Sequence, residues 1–163
     1  MTPSWFTKLP LTHITNVSPV GGGDVNLAYR IDTSEKCYFL LVQPHRHKGF
    51  YTSEIAGLEA FKAADILAPQ VIASGEIEHN AYLLLNYLPR GAGKQEELGA
   101  LVAKLHHHIN SAGTFGFQTD YTGAAITFDN TWCRSWSELF VSRRLDVLAA
   151  ALIENGAWSA EQE

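Results

Sequence analysis

The sequence predicts an α+β fold: a five-stranded antiparallel sheet with one packed helix, joined by a short linker to helices that have no sheet of their own. Three observations carry this. Five β-rich runs lie before residue 88, separated by polar or glycine-bearing turns. Between the third and fourth runs the apolar period becomes helical, and after Pro89-Arg90-Gly91-Ala92-Gly93-Lys94 only helical periodicity remains.

Taken in order, His13 to Val20 reads as the first strand and leads into the turn Gly21-Gly22-Gly23-Asp24. Val25 to Ile31 and Cys37 to Val42 follow, parted by Asp32-Thr33-Ser34-Glu35. From Tyr51 onward Ile55, Leu58 and Phe61 fall on one helical face. Pro69 and the run Gln70 to Gly75 restart extended structure. Glu78-His79-Asn80 then turns the chain into Ala81-Tyr82-Leu83-Leu84-Leu85-Asn86-Tyr87, a nearly continuous apolar strand of the buried type. The proline and glycines of residues 89–94 make that stretch the best internal hinge, between a unit over 1–88 and a helical one over 95–163. In the latter, Leu98, Leu101, Val102, Leu105 and Ile109 space as an amphipathic helix. Residues 113–130 read as irregular. Trp136, Leu139, Phe140, Val147, Leu148 and Leu152 mark the last helical stripe, with Trp136 expected in the core.

Composition narrows the function. With 163 residues, 46% of them hydrophobic, and a formal net charge of -5, the chain lacks the basic footprint of a nucleic-acid binder and the polarity of a disordered segment. No apolar run approaches the roughly 18 residues that would cross a bilayer, and the first ten residues do not read as a secretion signal. The two cysteines, Cys37 and Cys133, suit a reducing cytoplasm and ordinary core packing. His45-Arg46-His47 and His106-His107-His108 lack the spacing of a metal site, so they read as surface histidines with His106 packing on its helix; no metal ligand is expected in this chain.

The strongest local feature is Pro19-Val20-Gly21-Gly22-Gly23-Asp24-Val25-Asn26. Glycines there let backbone amides approach a phosphate. No Gly-Lys-Ser/Thr follows, and Asn26 occupies the final glycine position of a G-x-G-x-x-G template, so on this stretch alone a plain hairpin turn is the better reading.

The order of elements alters that balance. Gly22 to Arg30, Tyr38 to Val42, Tyr51 to Leu58, Leu83 to Leu88, Leu98-Gly99 through Leu105-His106, Phe115-Gly116-Phe117, and Asn130-Thr131-Trp132 with Trp136, Phe140 and Arg143-Arg144-Leu145 together resemble the fructosamine (ketosamine) kinase family. The resemblance implies a protein-kinase-like fold, with the ATP lobe and the first helices of an incomplete helical lobe. It also implies ATP with Mg²⁺ as cofactors and the sugar part of a ketoamine as substrate. Gly21, Gly22, Gly23, Asp24 and Asn26 would cover the ATP phosphates, and Ala28 would line the adenine pocket. Leu85, Asn86, Tyr87 and Leu88 would form the hinge against the base. Glu54 matches the helix glutamate that pairs with a third-strand lysine. Asn130 and Trp132 are candidates for the sugar-facing wall.

Two departures from the family pattern bear on activity. Leu41 stands where the lysine is expected, offering the phosphates neither charge nor hydrogen bond. Neither His-Gly-Asp-Leu nor a later Asp-Pro occurs in the 163 residues, so no catalytic residue is assigned. The chain is therefore expected to read as a truncation, inactive alone and binding ATP weakly or not at all. The alternative is a pseudokinase-like fragment that binds a nucleotide or a partner without catalysis, and a homodimer through exposed C-terminal helices is a further expectation.

Overall fold

The computed structural model describes residues 1–21, 26–89, 91, 93–122 and 126–159. Gly22, Gly23 and Asp24 of the glycine-rich turn, and Arg90 and Ala92 of the linker, lie outside the described residues. The chain divides into two compact units, Met1–His106 and His107–Glu163.

The first unit opens with one helical turn, α1 (Pro3–Phe6), which has proline in its first turn, where a missing N–H costs nothing. The five expected strands follow as β1 (Ile14–Val20), β2 (Leu27–Thr33), β3 (Cys37–Gln43), β4 (Val71–Ile77) and β5 (Asn80–Asn86). They form an antiparallel sheet in the order β1-β2-β3-β5-β4. Between β3 and β4 a 3₁₀ turn, Lys48–Tyr51, leads into α2 (Thr52–Ala63). The β4–β5 turn places Glu78 and His79 at φ 50° and 60°, the left-handed pair that matches strand twist. Asn80 Nδ2 steadies it by donating to the Glu78 carbonyl at 2.7 Å.

Alternation along the strands builds two cores. On one face Ile31, Leu40, Val42, Ile77, Tyr82 and Leu84 pack with Trp5, Phe6 and Leu9 of the N-terminal segment. On the other, Ala81, Leu83 and Leu85 pack with Phe39, Leu41 and Val71, and with Tyr51, Ile55 and Leu58. Residues 81 to 85 are all buried, as the continuous apolar run predicts. Trp5 is anchored most firmly: it is 1% exposed, and its Nε1 donates to the Ile77 carbonyl at 3.1 Å. Its ring meets Phe6 and Tyr82 edge-on. Gly75 sits across from Tyr82, and a Cβ there would stand 2.9 Å from the tyrosine ring.

Three packing expectations are corrected. Phe61 is exposed although Ile55 and Leu58 pack, because alanines between the large residues of α2 leave the period unable to choose which of them is covered. α3 (Gln95–His106) has no buried residue; Leu98 and Val102 are exposed, and Ile109 lies beyond the helix end. His106 is exposed as well, so it is not a packing residue. α3 is tied instead through Lys104, whose Nζ donates to the Asp65 carbonyl and carboxylate at 2.5 Å each.

In the second unit β6 (Tyr121–Thr122) pairs with β7 (Thr127–Phe128), and Phe115 bridges to Cys133. A π-helical stretch, Glu138–Leu145, runs directly into α4 (Asp146–Glu154). The wider π turn breaks the 3.6-residue period on which the expected stripe relied. Trp136 accordingly is 56% exposed rather than core, stacked on Phe140 at 5.4 Å and meeting Phe115 edge-on at 5.8 Å. No helix among the described residues is long and apolar enough to cross a membrane.

Candidate functional site

The strand register sorts the candidate residues onto one side of the sheet. Ala28 pairs with Leu41, which pairs with Leu83; Arg30 pairs with Phe39, which pairs with Leu85. Leu41, Phe39, Leu83 and Leu85 belong to the cluster that packs with Ile55 and Leu58 of α2, so Ala28 and Arg30 lie on the α2 side by alternation. Leu41 is therefore part of an apolar seam with the helix.

Glu54 is exposed in the first turn of α2, where a carboxylate is favoured by the helix dipole. Its neighbour Tyr51 is 3% exposed at the N-terminal end of the same helix. Burial, and secondarily the Glu54 charge, push the Tyr51 phenol well above its ordinary value. Tyr51 Oη donates to Asn26 Oδ1 at 3.0 Å, which joins α2 to the residue that ends the glycine-rich turn. The spacing of these residues gave no hint of that contact. At the other end of the turn, a Cβ on Gly21 would meet nothing within 4 Å among the described residues.

At the opposite end of β3 Tyr87, which follows β5, meets a polar cluster. Arg30 Nε donates to Asp32 Oδ1 at 2.7 Å, and Arg30 Nη2 to Cys37 Sγ at 3.3 Å. The guanidinium lies over the Tyr87 ring at 4.8 Å. Asn16 Nδ2 reaches the second Asp32 oxygen at 3.2 Å. The Cys37 thiol, then Arg30 and Asn16, hold the Asp32 carboxyl down from 3.8 to about 2. Arg30 shares the side of Ala28 and Leu41, but these partners draw its charge toward the hinge. Leu85 is buried, Asn86 closes β4 onto β5 by accepting from the Gln70 amide at 2.6 Å, the Tyr87 amide donates to the Cys37 carbonyl at 3.3 Å, and Leu88 is exposed.

In the second unit the substrate candidates occupy one braced loop. Asn130 is buried: its Nδ2 donates to the Thr119 carbonyl at 2.7 Å, its backbone N–H donates to Asp120 at 2.8 Å, and its Oδ1 accepts from Arg144. Arg143 holds the next residue by donating to the Thr131 carbonyl at 2.5 Å and pairs with Asp129 at 3.2 Å. Gly116, at φ 147°, lies beneath; a Cβ would stand 2.7 Å from the Asn130 carbonyl and 2.9 Å from the Trp132 Cα. Asn130 thus has its hydrogen bonds satisfied within the protein, while Trp132 is 48% exposed on the loop.

Two shallow cavities, one lined by Pro10, Leu11, Thr33 and Tyr38 and the other by Leu58, Lys62, Leu67 and Leu101, include none of the expected nucleotide residues. No group of three His, Cys, Asp or Glu side chains among the described residues could hold a metal ion.

The family model described as fructosamine kinase matches residues 6–163. A "Probable ketoamine kinase" of Staphylococcus aureus strain NCTC 8325 is 50% identical over 161 residues, covering 98% of this chain and 56% of that protein. One from Lactiplantibacillus plantarum is 42% identical over 163 residues, covering 100% of this chain and 57% of its own. The chain thus spans little more than half the length of these relatives. The crystal structure of a protein assigned as a fructosamine-3-kinase, from Haemophilus somnus 129PT, superposes with a TM-score of 0.74 at 21% identity, over 88% of this chain and 50% of the other.

Proposed function

The chain belongs to the fructosamine kinase family, and from that premise we propose that it carries the nucleotide-binding part of an ATP-dependent ketoamine phosphotransferase. The glycine-rich turn covers the phosphates, with Leu41 and Glu54 at the positions of the strand lysine and its helix partner; Ala28 lines the adenine pocket and Leu85 to Leu88 form the hinge that meets the base, with 89–94 separating the two lobes. The observation that carries this reading is the β2–β3 register, which sets Ala28 and Leu41 together on the side of the sheet that packs on α2. Two free cysteines suit a reducing compartment, and we place the protein in the cytoplasm.

Phosphoryl transfer to a sugar requires a hydroxyl oxygen to attack the γ-phosphorus while the bond to the ADP oxygen breaks and the hydroxyl proton passes to a base. These 163 residues contain no His-Gly-Asp-Leu segment to supply that base, and Leu41 removes a fixed charge from the phosphates. The chain by itself therefore binds ATP weakly and transfers nothing. The apolar seating of Leu41 also favours the second reading, a nucleotide- or partner-binding protein without catalysis. Exposed Trp136, Phe140 and Leu152 leave the second unit an apolar surface, but a homodimer through it has no support.

Thermal unfolding with millimolar MgATP tests the reading, because a ligand that binds the native state raises the midpoint by mass action. A small rise is expected for the wild type and a larger one for Leu41→Lys. Absence of a rise in both overturns nucleotide binding. Release of ADP dependent on a fructosamine by the 163-residue chain overturns the catalytic half of the proposal and the second reading together.

A further inference from the structure

A kinase-like lobe needs its helix coupled to the segment that covers the phosphates, and the usual coupling is an ion pair between a strand lysine and the helix glutamate. Leu41 excludes that pair here. A hydrogen bond from Tyr51 to Asn26, at 3.0 Å, joins the N-terminal end of α2 to the last residue of the glycine-rich turn. Tyr51 belongs to the buried cluster of Ala81, Leu83 and Leu85 from β5, against which Leu41 of β3 packs, and its ring meets Phe50 edge-on at 5.0 Å.

We propose that Tyr51 is a positioning residue for nucleotide binding: its hydroxyl fixes Asn26, the last residue of the glycine-rich turn, and replaces the missing ion pair with a neutral hydrogen bond. The inference rests on the nucleotide reading above and goes beyond it by naming what orders the turn. A buried phenol without an acceptor is unfavourable, so the ring packing of Tyr51 obliges its hydroxyl to find one. Asn26 Oδ1 is that acceptor, and, unlike a carboxylate, it brings no negative charge toward a phosphate. The phenol stays protonated near neutral pH because burial and Glu54 both oppose its ionisation. The coupling therefore does not titrate in the working range, whereas a lysine–glutamate pair would weaken with salt.

The test is an NMR titration of the 163-residue chain with millimolar MgATP, comparing wild type, Tyr51→Phe, Asn26→Ala and the double variant. Each single change is expected to weaken binding about threefold to tenfold, the range of one net hydrogen bond, and the double variant to weaken it no further than the worse single one. A purely structural role would lower the unfolding midpoint without nucleotide and leave the affinity of the folded chain unchanged. A folded Tyr51→Phe chain that binds as tightly as wild type, or effects that simply add, overturn the inference while nucleotide binding stands. If Tyr51→Phe does not fold, the affinity of Asn26→Ala decides, since Asn26 lies outside both apolar cores. A wild type that binds no MgATP overturns the function reading, and this inference with it.

Discussion

Leu41 of β3 stands directly across from Ala28 of β2, and on its other side from Leu83 of β5. Leu41 is thus built into the contact between sheet and helix. Leu41→Ala is expected to destabilise the chain by about 1–3 kcal/mol, the lower part of the range for truncating a leucine, because the residue is half-buried. Urea unfolding followed by circular dichroism checks it; a change below about 0.5 kcal/mol, the size of a neutral surface substitution, would show that the seam is not part of the core.

Trp5 ties the N-terminal turn to the far face of the sheet through both its ring and its Nε1 donation to Ile77. Trp5→Ala should cost about 3–5 kcal/mol, enough to unfold a marginal unit, and deleting the first nine residues should do at least as much. Trp5→Phe keeps most of the packing and loses one donation to the Ile77 carbonyl, which still accepts from Asn80 Nδ2 at 3.2 Å, so about 0.5–1.5 kcal/mol is expected. Thermal melts should place Trp5→Phe above Trp5→Ala, and the deletion at or below Trp5→Ala.

Gly116 makes a separate prediction for the second unit. Its φ of 147° and the 2.7 Å approach of a Cβ to the Asn130 carbonyl exclude any side chain without displacing the 130–132 backbone. Gly116→Ala is expected to break the bonds from Phe117 N–H to the Asn130 carbonyl and around Phe115 and Cys133. Faster amide exchange at Phe117 and Cys133, with exchange in β3 and β5 unchanged, would show the damage; unaltered exchange at Phe117 would contradict it.

Asp32 should make the sheet sensitive to acid. Its folded value, about 2, lies below the ordinary 3.8, so its contribution is complete above pH 5 and is lost as pH falls through about 2. Asp32→Asn should therefore flatten part of the fall in stability between pH 5 and 2 while lowering stability near pH 7. Denaturation curves at a series of pH values test this. Parallel curves for the two proteins would mean that the Cys37, Arg30 and Asn16 contacts do not persist in solution.

Much of the first unit could be read from residues alone. Period-2 runs and turn chemistry located all five strands, and the unbroken apolar stretch at 81–85 marked the most buried one. The residues carrying the family resemblance were legible as well, and so was Leu41, since a substitution at a motif position needs no structure to be seen. α1 was missed because four residues are too short to show a period. The burial of Trp5 was missed because its partners, Ile77 and Tyr82, lie about 70 residues away. Trp136 was placed in a core on an α-helical period that the π-helical stretch does not keep.

What the sequence determined by itself was therefore the order of the five strands and the helices between and after them, the family pattern and the leucine at position 41, all carried by neighbours along the chain. Only the tertiary structure decided that Arg30 turns to Asp32, Cys37 and the Tyr87 ring, that Asn130 is satisfied within its own loop, and that Tyr51 reaches Asn26. Local propensity and alternation act over a few residues, and they fix which side of a strand a residue occupies. Which partner it finds across 25 residues, as Tyr51 does, depends on how helix and sheet pack, and that is a property of the assembled core.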